Sequence, residues 1–333
     1  MNLKPFFLMS FILIMSLLSL QFAVNATTKI NVVVSTPTLM SLVNSAAGNY
    51  VQVTSVVPFG TDPHEYQLVP KDLEKISNSD MLIITGHFKW EEELVSYVNR
   101  GTVLDLHKAL DGKLKLLNIP DDDINLHEWW LLPYNAKLVI HEIASRLAEI
   151  DVYNAKVYMN IAEKSTESID KIVAEVKRTL SEKGLIGDVA ICSTPIEQYL
   201  IEGFGMRCTL ILAEEELSGV KPLTLEKARA MLAENSPKVL VLADISEGTA
   251  GADVIKKLAD ETNTYLLRLT MMPEDNWTYE TLLAYNAGLI NSVPYTSKTN
   301  SGTDIIMSIL VPILSIVVVV EAIIILRLRV RRS

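Results

Sequence analysis

The chain has 333 residues and a formal net charge of −10, with 40 Asp+Glu against 30 Lys+Arg, and 49% of its residues are hydrophobic. A balance this acidic offers no electrostatic footprint for a polyanion, so it excludes nucleic acid as a partner and suits cations. The length exceeds what one small core needs and calls for two lobes.

In chain order, residues 1–26 read as a secretory signal. Lys4 supplies the positive charge, 5–20 the apolar run, and Val24-Asn25-Ala26 the small residues before a cut ahead of Thr27. No cysteine follows that run, so a lipid anchor at the new N-terminus is not expected. Strands are predicted over 30–35, 51–57, 81–85 and 103–106, with helices over 37–47 and 70–77 between them. Such alternation marks βα units and a mostly parallel sheet. Asp151 then offers a helix N-cap, and no Gly or Pro intervenes until Gly184. Apolar residues at Tyr158, Ile161, Ala162, Ile169, Ile172, Val173, Val176 and Leu180 keep a 3.6-residue rhythm. One helix over 151–183, roughly 48 Å long, fits that rhythm; two helices broken near Ser165 are the other reading.

Beyond Gly187 the alternation resumes. Strands are predicted over 188–192, 205–212, 239–243 and 265–269, and helices over 196–202, 225–234, 251–262 and 280–291. Residues 293–304 read as a short polar stalk. Residues 305–326 are nearly all apolar, and as a helix of roughly 33 Å they are long enough to span a bilayer. Arg327, Arg329, Arg331 and Arg332 follow, which puts the 327–333 tail in the cytoplasm and the body outside the cell. The expected layout is a signal peptide (1–26), an α/β lobe (27–150), a linking helix (151–183), a second α/β lobe (184–292), the stalk (293–304), a single transmembrane helix (305–326) and the basic tail. The fold class is α/β: two Rossmann-like lobes joined by one long rigid helix. Asn276-Trp277-Thr278 is a glycosylation sequon in the exported body. Cys192 and Cys208 are the only cysteines, and pairing and two buried thiols both stay open.

Chemistry concentrates in the histidines, of which there are five. His64 lies in the proline-fixed stretch Thr61-Asp62-Pro63-His64-Glu65-Tyr66, after the second strand. His87 follows Gly86 at the end of the third strand. His127 lies in Leu126-His127-Glu128-Trp129-Trp130, just before Pro133-Tyr134-Asn135-Ala136. A neutral imidazole donates a nitrogen lone pair near pH 7, and a loop that fixes where the ring points is how a preformed metal site begins. Ligands bind outside the carboxyl ends of strands in parallel sheets. His64, His87 and His127 are therefore candidate metal ligands, with Asp244, at a strand end of the other lobe, to close the shell. Glu247 and Cys192 are weaker candidates, and His107 and His141 read as packing or surface residues. None of the three His-Glu pairs continues as HExxH, and neither a GxxxxGK loop nor a GxSxG elbow occurs, so the chain is not expected to be an enzyme.

The stretch 60–66, followed by Pro70-Lys71-Asp72 and Asn78-Ser79-Asp80, resembles the first ligand loop of the cluster A-I, or TroA/ZnuA-type, solute-binding proteins of zinc and manganese ABC importers. His127 with Asn135-Ala136 resembles their second histidine loop, and the long helix their interlobe helix. The resemblance covers nearly all of 27–292. It implies a membrane-tethered extracellular receptor that captures Zn²⁺ or Mn²⁺ as transported ligand between its lobes. The partner it implies is an ABC permease with its ATPase. It also implies a departure: the family's third histidine falls on Thr194 and its fourth, acidic ligand on Thr270. A neutral hydroxyl is a poor zinc ligand beside imidazole or carboxylate. Two readings follow: a metal receptor with a different set of donors, or a bilobed protein whose altered site takes another ligand, such as a metal chelate, or serves as a surface interaction module.

Overall fold

The computed structural model describes residues 29–294, apart from 62, 99–100, 121–122, 215–218 and 235. The expected signal peptide, most of the stalk, the transmembrane helix at 305–326 and the tail lie outside the described residues. Among the described residues no helix is long and apolar enough to cross a membrane.

The chain forms two compact units. Of the described residues, one takes those up to Leu114, then Lys137–Thr166 and Met272–Tyr279; the other takes Lys115–Ala136, Glu167–Met271 and those from Glu280.

The first unit is built on β1 (Ile30–Val34), α1 (Met40–Ala47), β2 (Val51–Ser55), α2 (Pro70–Ser77), β3 (Met81–Ile84), α3 (Glu91–Val95), β4 (Thr102–Asp105) and α4 (Leu106–Ala109). Its four strands pair in parallel in the order β2-β1-β3-β4, with Ile30 opposite Val51 and Val32 opposite Met81. All four residues of β3 are buried, because helices cover both faces of a parallel sheet. Val33, Val56, Ile76, Leu82, Ile84 and Leu94 close the core on one face. Each fully buried side chain of this size contributes about 1.5–3 kcal/mol. The helix predicted over 37–47 begins as a 3-10 turn at Pro37–Leu39 before α1.

Two long helices follow, α5 (Pro133–Ile150) and α6 (Ala155–Glu182). The helix predicted over 151–183 is thus one element without a break at Ser165, but it starts four residues later. Asp151 accepts hydrogen bonds from the Asn154 backbone N–H (3.2 Å), Asn154 Nδ2 (2.7 Å) and the Tyr158 hydroxyl (2.9 Å). It therefore organises the turn before the helix rather than the first helical residue.

The second unit carries β5 (Val189–Cys192), α7 (Gln198–Phe204), β6 (Arg207–Ile211), α8 (Pro222–Ala233), β7 (Val239–Ala243), α9 (Ala250–Thr262), β8 (Tyr265–Leu269) and α10 (Tyr279–Asn291). The strand order is β6-β5-β7-β8, again parallel throughout. The extended run predicted over 205–212 shortens to β6, since Gly205 caps α7 in the left-handed region at φ 102°. Ile191, Leu240 and Leu242 pack on Ala252, Ile255 and Leu258 of α9. A Cβ on Gly251 would stand 2.4 Å from the Ser193 carbonyl, so only glycine lets α9 start this close to the end of β5. Cys192 and Cys208 are both free and buried, and burial pushes the Cys192 thiol well above its ordinary value.

Candidate metal centre

In the first unit the segment after β3 reaches across to the segment after β2. Trp90 Nε1 donates to the Pro63 carbonyl at 2.7 Å. The Trp90 ring lies 6.0 Å from Tyr66 and stacks on Phe88 at 5.7 Å. Tyr66 is held in turn by its hydroxyl, which donates to Asp72 Oδ2 at 2.6 Å; burial and that bond push the phenol up to about 12. Asp72 also accepts from the Val69 backbone N–H at 3.1 Å, so one carboxylate caps the start of α2 and anchors the end of the His64 loop.

This framework brings His64 and His87 together. Their rings meet edge to face at 5.3 Å between centroids, and Phe88 packs against both, at 4.9 Å from His64 and 4.7 Å from His87. A ligand nitrogen of each lies within 4.8 Å of the other's. Two nitrogens bound to one zinc at about 2.0–2.1 Å stand at most about 4.2 Å apart, so a small shift of the exposed His64 ring suffices for one ion to bridge them.

Sequence reasoning missed the residue that sets His87. Glu91 is 1% exposed, and its carboxylate accepts from the backbone N–H groups of Thr85 (2.8 Å), Gly86 (2.9 Å), His87 (3.1 Å) and Phe88 (3.2 Å), and from the Thr85 hydroxyl. One buried acid therefore satisfies the whole turn after β3. The signal was present as the acidic run Glu91-Glu92-Glu93, three to five residues beyond Phe88, but a charge run reads as a solvated helix start. Gly86 holds φ 77°, and a Cβ there would stand 2.6 Å from Asp105 Oδ1 and 2.8 Å from His107 Cβ. The turn into His87 thus requires glycine.

In the second unit His127 sits beside Asn125, which is fully buried. Asn125 Nδ2 donates to the Pro195 carbonyl and to Gln198 Oε1, both at 2.9 Å. Both amide hydrogens being spent, its Oδ1 is the atom facing His127, 2.9 Å from the backbone N and 3.2 Å from Nδ1. Oδ1 can only accept, so Nδ1 carries the proton and the lone pair is on Nε2. A histidine oriented through its far nitrogen in this way is the usual arrangement of a metal ligand. Glu128, the next residue, is held at φ 51°, a left-handed backbone that a non-glycine residue adopts only when its surroundings impose it.

The remaining predicted residues occupy the carboxyl ends of the second unit's strands. Asp244 is exposed after β7, and its Oδ1 accepts from the backbone N–H of Ile245 and of Met271, each at 2.8 Å. Thr194 is fully buried; its hydroxyl lies 3.0 Å from Glu197 Oε2 and 2.9 Å from Ser246 Oγ. Glu197, also fully buried, accepts from the Ser193 hydroxyl and from the backbone N–H of Thr194 (2.8 Å) and Ala243 (3.1 Å), and burial raises its pKa. Thr270 is clamped through its backbone by Asn286, whose Oδ1 accepts from its N–H (2.9 Å) and whose Nδ2 donates to its carbonyl (2.7 Å). Glu247 is engaged by Lys256 and Arg268, which hold its carboxyl below the usual range.

A family model described as ZnuA, zinc-uptake complex component A, periplasmic, matches residues 32–293. The chain belongs to the ZnuA family. A relative, the manganese ABC transporter substrate-binding lipoprotein PsaA of Streptococcus pneumoniae, is 25% identical over 186 residues, 54% of this chain and 60% of its own length. The chain therefore matches less than two thirds of that relative. The metal ABC transporter substrate-binding lipoprotein SsaB of Streptococcus sanguinis is 22% identical over 277 residues, covering 79% of this chain and 88% of its own. Among solved structures, the solute-binding protein FpvC of Pseudomonas aeruginosa in complex with Mn²⁺ superimposes with a TM-score of 0.63 at 18% identity, covering 80% of this chain and 97% of its own. The likeness shows that the ZnuA-type α/β fold with two parallel sheets is shared.

Proposed function

We propose that the chain captures a divalent metal ion, Zn²⁺ or Mn²⁺, and delivers it to an ABC permease with its ATPase. The observation that carries this reading is the His64–His87 pair, whose ligand nitrogens lie within 4.8 Å of each other on one braced framework. His127, with its lone pair on Nε2, is the third donor, and Asp244, fixed through Oδ1, the fourth. Family membership supports the transport role, and the streptococcal relatives, substrate-binding lipoproteins of metal ABC transporters, support the importer. Three imidazoles and one carboxylate suit zinc, and manganese favours more oxygen. Thr194 and Thr270 are not donors in this reading: the Thr194 hydroxyl is committed to Glu197 and Ser246, and Asn286 holds the Thr270 backbone. The proposed topology has a leader at 1–26, the two-unit binding body at 27–292, a stalk at 293–304 and a membrane tether at 305–326. The tether keeps the binding domain outside the cell beside its permease, with the 327–333 tail in the cytoplasm.

The deciding measurement is calorimetric titration of the full chain in detergent, purified without nickel resin, with Zn²⁺ and Mn²⁺. His64→Ala and His127→Ala are each expected to weaken binding at least tenfold. Equal, negligible binding by all three proteins would sink the reading and favour a scaffold whose altered site takes another ligand.

A further inference from the structure

The sequon Asn276-Trp277-Thr278 is the only Asn-x-Ser/Thr triplet among the described residues, and the metal site makes no use of it. We propose that Asn276 is glycosylated on its side-chain amide once the chain has been exported. The proposal rests on the outward-facing topology above.

Three features of the first unit carry it. The backbone N–H of Trp277 donates to the Glu274 carbonyl at 2.9 Å, closing a four-residue turn with Asn276 at its third position. Asn276 is exposed there, as are Glu274 and Asp275. The inner side of the same segment is fastened to α1. Asn44 Nδ2 donates to the carbonyls of Asp275 (3.4 Å) and Trp277 (2.9 Å), and the backbone N–H of Tyr279 donates to Ser45 Oγ at 2.8 Å. With the carbonyls on either side turned toward α1, the tip of the turn is presented to solvent, the presentation a glycosyl transfer to a surface loop needs.

The surroundings suit a sugar as well as its attachment. Asn276 lines an open depression with Phe59, Trp277, Glu274 and Asp275. Phe59 is 43% exposed, a large apolar ring left in water. The C–H face of a pyranose attached at Asn276 would cover such a ring, while its hydroxyls find acceptors on the two acids.

The reaction balances without a redox step. The Asn276 amide nitrogen attacks the anomeric carbon of an oligosaccharide carried on a polyprenyl phosphate. The C–N bond forms, the bond from that carbon to the phosphate oxygen breaks, the polyprenyl phosphate leaves, and one amide proton passes to a base.

The test is mass spectrometry of the full chain purified from its own host, reading the mature N-terminus and the peptide that holds Asn276 in one sample. The expected result is a leaderless chain carrying a glycan mass on that peptide. The mass disappears in Asn276→Gln and in Thr278→Ala and persists in Thr278→Ser, which separates transfer directed by the sequon from an adduct of other origin. A leaderless chain with bare Asn276 overturns the proposal and leaves the topology standing. A chain that keeps residues 1–26 with bare Asn276 overturns both. A glycan that survives Asn276→Gln assigns the modification elsewhere and also overturns it.

Discussion

Glu91 supports the loop between β3 and α3 by accepting four consecutive backbone N–H groups. Replacing it with glutamine puts an amide donor against that row, and at least one buried N–H loses its acceptor. Such a loss costs about 1–3 kcal/mol. The His87 ring then loses its fixed direction, which for residues behind a metal ligand weakens affinity about 10–100-fold. Glu91→Gln is thus expected to lower both the urea midpoint and the zinc affinity. A variant that loses the stability alone would show that His87 is not a ligand. Asn125→Ala tests the second loop in the same way. Removing Oδ1 lets the proton move between the two nitrogens of His127, so zinc affinity is expected to fall about 10–100-fold, read by competition with a coloured chelator. An unchanged affinity would exclude His127 as donor. At this scale proline and flanking acids mark the loops of His64 and His127 in the sequence, and their role as donors rests on the titrations above. Glu91 was not legible, since nothing in Glu91-Glu92-Glu93 says which carboxylate turns inward. Asn125 gave no signal, because its role depends on contacts with Pro195 and Gln198, about 70 residues away.

Among the elements, the strands are the best-read part of the chain. A parallel strand buried on both faces becomes a run of Val, Leu and Ala, as in β7, which matches its predicted bounds; the edge strand β8, with Arg268 exposed, matches its own as well. Short α3 and α4 escaped because four or five residues hold less than two turns of periodicity. The start of α6 was misplaced because Asp151 caps at a distance: its carboxylate serves Asn154 and Tyr158 across an intervening turn. Burial alone would raise the Asp151 carboxyl, but the hydrogen bonds from Asn154 and Tyr158 outweigh it and hold the group below its ordinary 3.8. A carboxylate with a depressed pKa contributes stability that is present above its unfolded value and is lost as pH falls through the folded one. Asp151→Ala is therefore expected to cost about 0.5–2 kcal/mol at neutral pH. Urea unfolding from pH 7 down to pH 3 should show that gap narrowing only below about pH 4. A gap independent of pH would mean that Asp151 acts through packing rather than charge.

For the whole molecule, a captured ion and a resident structural ion predict different melting behaviour. A transported ion must leave, so the metal-free chain has to be folded, as two parallel sheets with their own buried cores already provide. Binding to the folded state alone then adds RT ln(1 + [L]/Kd), about 2.7 kcal/mol at one hundred times Kd. For a body of this size that corresponds to a rise in Tm of roughly 5–10 °C. The rise should follow the logarithm of Zn²⁺ or Mn²⁺ concentration and reverse on chelation. His64→Ala, His87→Ala and His127→Ala should each abolish most of it while leaving the metal-free Tm within a few degrees of the parent. Differential scanning calorimetry with and without chelator separates the cases. If the chelated parent shows no cooperative transition, the metal is part of the fold rather than cargo. If one histidine variant keeps the full rise, that residue does not hold the ion. Loss of the rise in all three variants, with a folded metal-free chain, is the outcome that a receptor built to take up and release its ion requires.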